Sequence, residues 1–86
     1  MISVLLSRRA ERDIKSAPAN DRRRIFKAIE CLESTYFPDR YDIRKMKGFK
    51  ESYRIRIGSW RILYRVDYQE KRIYVGGILK RSQAYK

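Results

Sequence analysis

Eighty-six residues carry 22 Lys and Arg against 10 Asp and Glu, a formal charge of +12 that makes one small domain strongly cationic. A hydrophobic fraction of 43% with 13% aromatics supplies a packed core and argues against disorder. The absence of histidine excludes Ser-His and Cys-His triads and His-containing metal sites, the lone Cys31 excludes an intrachain disulfide, and no apolar run is long enough to span a membrane.

Taken in chain order, Ile2 to Leu6 reads as a short first strand. Ser7 is a predicted N-cap for a helix running to about Ala17, with Ala10, Ile14 and Ala17 on one side and Pro18 as its stop. Asn20 or Asp21 then caps a second helix whose apolar stripe is Ile25, Ala28, Ile29 and Leu32, with Phe26 at its edge and Cys31 buried. A short connection predicts that the two helices pack as an antiparallel pair. Residues 34–50 read as a long connection with little regular structure, a length that often marks function. A hairpin over 51–57 and 60–68 follows, then a last strand from about Arg72 to Leu79 and a basic tail, Lys80 to Lys86. The order is β-α-α-β-β-β. It predicts a single α+β domain over 1–86, with the helices on one face of a small, mostly antiparallel four-stranded sheet.

The stretch from Tyr53 to Tyr64 carries the strongest signal. Gly58-Ser59 is a two-residue hairpin turn, which sets Ile57 opposite Trp60, Arg56 opposite Arg61 and Arg54 opposite Leu63. Strand alternation then puts Ile55, Ile57, Trp60, Ile62 and Tyr64 on one side and crowds Arg54, Arg56 and Arg61 on the other. Like charges opposite one another cost about 0.2–1 kcal/mol per pair, and folding alone does not ask for that. A polyanion reverses the sign. Guanidinium forks match phosphate oxygens bidentately and stabilise charge that develops in a transition state.

The bland alternative is a solvated face paired with Glu51, Asp67 or Glu70. Residues 44–86 hold only those three acids against thirteen Lys and Arg, whereas 1–43 hold seven against nine. Lys45, Lys47 and Lys50 flank Gly48 just before the hairpin and extend a candidate backbone-binding track that Lys80 continues. In the tail, Tyr85 lies four residues after Arg81, a spacing that lets the ring stack on an unpaired base while the guanidinium meets phosphate. The other tyrosines, Tyr53, Tyr64 and Tyr74 among them, read as packing in or around the core, as does Trp60. Glu11, Asp13, Glu30 and Glu33 read as surface charges of the helices. P-loop, Cys-x-x-Cys and Gly-x-Gly-x-x-Gly patterns are missing, so no metal, nucleotide or other cofactor is expected.

Lys47-Gly48, the block from Tyr53 through Tyr64 to Asp67, Lys80-Arg81 and Tyr85-Lys86 together resemble the RelE/ParE toxin superfamily, and more closely its RelE-like branch. The resemblance spans essentially the whole chain and implies the toxin of a type II toxin–antitoxin system. It implies a metal-independent endoribonuclease that cuts mRNA in the ribosomal A site, the ribose 2′-hydroxyl attacking the adjacent phosphate to leave a 2′,3′-cyclic phosphate. Carried over by position, Arg54, Arg56, Arg61, Arg81 and Tyr85 are the implied catalytic residues, and Tyr85 is the tail residue that stacks on a nucleotide. Some members carry lysines at 54 and 56, an arginine at 79 and a histidine at 80, where this chain has Arg54, Arg56, Leu79 and Lys80. Arginine does not readily release its proton, so the implied role of Arg56 is charge stabilisation. The implied partners are a cognate antitoxin and mRNA on the ribosome, with no membrane, and the expected location is the cytoplasm. Two rival readings are a ParE-like toxin that inhibits DNA gyrase by protein contact, and a degenerate member that binds RNA or antitoxin without activity.

Overall fold

The computed structural model describes residues 1–80. Its elements run β1 (Ser3–Leu6), α1 (Arg8–Ser16), α2 (Ala19–Leu32), β2 (Asp42–Lys45), β3 (Ser52–Ile57), β4 (Trp60–Asp67) and β5 (Arg72–Lys80). The α+β layer is as expected, but the sheet has five strands, not four, in the order β1-β5-β4-β3-β2. β1 runs parallel to β5 and the remaining pairs are antiparallel.

The added strand is β2, inside the segment that reads as irregular. Its four residues place a single apolar side chain, Ile43, on the inner face, too little alternation to stand out from a loop. What makes it a strand is its neighbour: Ile43 pairs with Ile55, and Arg44 and Asp42 face Arg54 and Arg56. β2 is also an edge, and its charged side chains suit an edge that must not recruit further strands.

Ser7 caps α1 as predicted, its Oγ accepting from the Ala10 N–H at 3.0 Å while its hydroxyl donates to the Gly76 carbonyl at 2.9 Å. The cap therefore also ties the helix start to β5. α2 departs from expectation: Pro18 occupies its N-cap without a side-chain bond, and Asn20 and Asp21 lie inside the first turn. Asp21 instead accepts from the Trp60 indole N–H at 3.1 Å, pinning α2 to the start of β4. Cys31, expected buried, is half-buried at the margin of the apolar stripe. α1 finds its main packing partner in β5 and touches α2 only lightly.

Asp13, which reads as a surface charge, accepts from the Ile78 N–H at 3.0 Å. The cause is an irregularity in β5. Tyr64 pairs with Val75 and Leu63 with Gly77, which leaves Gly76 as an extra residue and lets Val75 and Ile78 both turn inward. Between the sheet and the helices sits one core in which Ile25, Leu32, Ile55, Ile62, Tyr64, Ile73, Val75 and Ile78 are the largest fully buried side chains.

Candidate functional site

The β3–β4 hairpin has the predicted register, with Gly58 at φ 59° in the first turn position, as a type II′ turn requires. On the sheet face turned away from the helices the pairings form rows. One row reads Asp42, Arg56, Arg61, Leu79 and the next Arg44, Arg54, Leu63, Gly77. Neighbouring strands lie about 4.8 Å apart, so these guanidiniums are within reach of one another. Asp42, Arg44, Arg54, Arg56 and Arg61 line one cavity of about 200 Å³.

The three hairpin arginines are thus brought together, but they are not equally open. Arg56 is exposed and Arg54 half-buried, while Arg61, expected to be uncovered, is only 3% exposed. Its Nη1 donates to the Trp60 carbonyl at 3.0 Å and to the Gly58 carbonyl at 3.4 Å, which draws the fork back along β4 to the turn. Among the described residues no carboxylate forms an ion pair with Arg54, Arg56 or Arg61; the pairs present are Arg9–Asp13 and Arg44–Asp42, at 3.9 and 3.5 Å. Removing a cation from water costs several kcal/mol, which two carbonyls offset only in part, and the one carboxylate lining the cavity, Asp42, pairs with Arg44 and not with Arg61.

Arg44 and Asp42 escaped sequence reasoning because β2 did. The signal available was the alternation Asp42, Ile43, Arg44 beside a strongly patterned hairpin. Lys45 and Lys47 line an adjoining space of about 500 Å³ with Arg44, Met46, Arg54, Leu63 and Leu79, so they do extend the positive surface. Lys50 lies in the turn between β2 and β3 and lines neither space. Lys80 is the last residue of β5, not the first of a tail, and its Nζ sits 5.5 Å from the centre of the Trp60 ring, away from the arginines. Arg81 and Tyr85 lie outside the described residues.

Tyr64 packs as predicted: it is buried, its hydroxyl donates to the Tyr36 carbonyl at 2.7 Å, and burial pushes its phenol up. Tyr53 packs against the core, its phenol pushed up to about 12 first by hydrogen bonding with Tyr68 and then by burial. Tyr74 is instead on the open face, paired with Arg65, whose guanidinium carbon is 4.6 Å from the ring centre. Beside it Met46, Phe49, Ser52, Leu63 and Gly76 line a mostly apolar hollow of about 240 Å³. The open face is therefore graded: guanidiniums crowd the Gly58 end, whereas toward Tyr74 the lining is mostly apolar with Arg65 as its cation.

Residues 4–85 match a family described as the ParE toxin of the type II toxin–antitoxin system, parDE. A relative designated RelE1, from Methanocaldococcus jannaschii, is 33% identical over 85 residues, which is 98% of this chain and 94% of the relative. The crystal structure of an archaeal RelE–RelB complex from Pyrococcus horikoshii OT3 is similar with a TM-score of 0.84 at 25% identity, covering 95% of this chain and 97% of that one. The RelB–RelE antitoxin–toxin complex from Methanococcus jannaschii gives 0.81 at 30% identity, covering 95% of each chain.

Proposed function

The chain belongs to the RelE/ParE superfamily of type II toxin–antitoxin toxins, as a RelE-like member, and from that premise we propose that it is a ribosome-dependent mRNA endoribonuclease. The observation that carries the proposal is a buried guanidinium without a carboxylate partner among the described residues, Arg61, sharing one cavity with Arg44, Arg54 and Arg56.

In the reaction so proposed, the ribose 2′-oxygen attacks the adjacent phosphorus and the bond to the 5′-oxygen breaks. A 2′,3′-cyclic phosphate and a 5′-hydroxyl result, one proton leaving the 2′-hydroxyl and one arriving at the 5′-oxygen. Arg61, held by two backbone carbonyls, is preorganised toward the non-bridging oxygens where charge builds. Arg54 and Arg56 grip the phosphodiester from β3, and Lys45 and Lys47 follow the strand beyond it. Arg81 and Tyr85 are assigned phosphate contact and base stacking on the resemblance alone. Guanidiniums hold their protons, so these groups supply alignment and charge stabilisation in place of a general base. The ribosome completes the alignment, and naked RNA at neutral pH is cut negligibly.

An antitoxin is the proposed protein partner, supported by the RelE–RelB complexes that share the fold. An acidic, amphipathic segment suits a face that is cationic at one end and apolar at the other. The proposed site of action is the cytoplasm, where ribosomes are. A translation reaction programmed with a defined mRNA tests the reading: cuts fall within A-site codons and disappear with Arg61→Ala. Undisturbed translation by the unmodified protein would contradict it. The match to a ParE family favours one second reading, inhibition of DNA gyrase by protein contact. Loss of supercoiling activity on adding the protein, with mRNA intact, would establish that one instead.

A further inference from the structure

Around the turn end of the hairpin the positive surface continues past the arginine cavity onto α2. A second cavity, of about 420 Å³, is lined by Arg24, Lys27, Arg40, Tyr41, Asp42 and Arg56 beside the Gly58 turn. It shares Arg56 and Asp42 with the first, so the two form one tract that bends round the end of the sheet. Its sole carboxylate, Asp42, is already paired with Arg44 at 3.5 Å.

The cations of this second cavity are placed by the fold. Asp21 ties α2 to Trp60, and Arg24 follows on the same helix. Its guanidinium lies against the hairpin turn so closely that a Cβ on Gly58 would come within 3.1 Å of Nη1. Glycine there serves both the positive φ and the approach of Arg24. The Arg40 guanidinium carbon stands 5.8 Å over the Tyr41 ring, and both side chains line the cavity. Gathering Arg24, Lys27, Arg40 and Arg56 around one space works against folding, as like charges do.

We propose that this cavity is a second backbone subsite, holding phosphates of the same RNA strand that neighbour the one in the Arg61 cavity. The proposal rests on the nuclease reading for its ligand. A regular polyanion fits two cationic cavities joined at Arg56. An acidic amphipathic peptide fits less well, because the larger apolar side chains Met46, Phe49 and Leu63 line the hollow toward Tyr74, and this cavity offers only Ile57 and the Tyr41 ring among four cations.

The test uses the full chain and a 2′-O-methyl oligonucleotide long enough to cross both cavities, with affinity measured against salt. Each phosphate that the protein ceases to neutralise lowers the slope of log affinity against log salt by about 0.7. Arg24→Ala, Lys27→Ala and Arg40→Ala together should therefore flatten it by about 2 and raise Kd in 0.1 M salt roughly hundredfold. The single variants, each flattening the slope by about 0.7, carry the test should the triple variant fold poorly. A matched control removes Arg8, Arg12 and Lys15, which line a separate cavity on α1. That control changes net charge equally and should leave the slope unaltered.

A slope unchanged by the α2-side variants, or flattened equally by the α1 control, would overturn the subsite. So would loss of poly-glutamate binding with RNA binding intact, which would assign the cavity to a protein partner. Translation left undisturbed by the unmodified protein, with the slope effect present, removes the nuclease reading and leaves the subsite standing. Normal cleavage with no slope effect does the reverse.

Discussion

Ile62 and Arg61 are neighbours on β4, equally hidden at 0% and 3% exposure, and they are hidden for opposite reasons. Ile62 lies against the helices among Ile55, Tyr64 and Ile78, where removing apolar surface from water is itself the stabilising term. Arg61 lies on the open face, where removing a charge from water costs free energy that carbonyls offset only in part. One face of the hairpin is organised by folding. The other carries a desolvation cost that its backbone contacts offset only in part, which is the feature the proposed anionic substrate would use.

The largest expected effect breaks the helix-facing side. Ile62→Ala should cost about 2–5 kcal/mol from reduced transfer energy and the cavity left behind, read as a lower denaturation midpoint with unchanged slope. On the open face the signs separate. Arg61→Met keeps most of the volume and deletes the charge, so stability should hold or rise by about 1 kcal/mol. Cleavage in the translation reaction should fall by about 10²–10³-fold, the usual cost of losing one preorganised stabiliser of transition-state charge. Equal losses of stability and activity would make Arg61 a packing residue.

A smaller effect belongs to alkaline pH. The Tyr53 and Tyr64 phenols are raised above their ordinary 10.0, Tyr53 to about 12, so both ionise later in the folded chain than in the unfolded one. The stability they contribute is complete below pH 10 and declines as pH rises through about 12. Denaturant titrations across that window should show the decline, and Tyr53→Phe with Tyr64→Phe should flatten it. The smallest effect sharpens the cationic side: Lys47→Ala should flatten the salt slope for RNA by about 0.7 and leave the thermal midpoint where it is.

Much of this was legible from local pattern. The Gly58-Ser59 turn and strict alternation set the hairpin register, and Ser7 and Pro18 bounded α1, because caps, turns and period-two patterns act over a few residues. What escaped depended on partners remote in sequence. β2 is a strand because β3 lies beside it. The Asp13 carboxylate accepts from the backbone because a bulge in β5, sixty-five residues on, presents the Ile78 N–H to it. Arg24 and Lys27 look like the wet side of a helix until Asp21 and Trp60 bring that helix to the hairpin turn.

By itself the sequence determined the α+β class, the two opposed faces of the hairpin and a family resemblance carried by residues of its C-terminal half. Tertiary structure alone decided that the sheet has a fifth strand, that Arg61 is enclosed while Arg56 is open, and that a second group of cations borders the first. The division has a physical cause. Periodicity is written in neighbouring residues, whereas exposure and charge density belong to surfaces that distant segments complete only once the chain has folded.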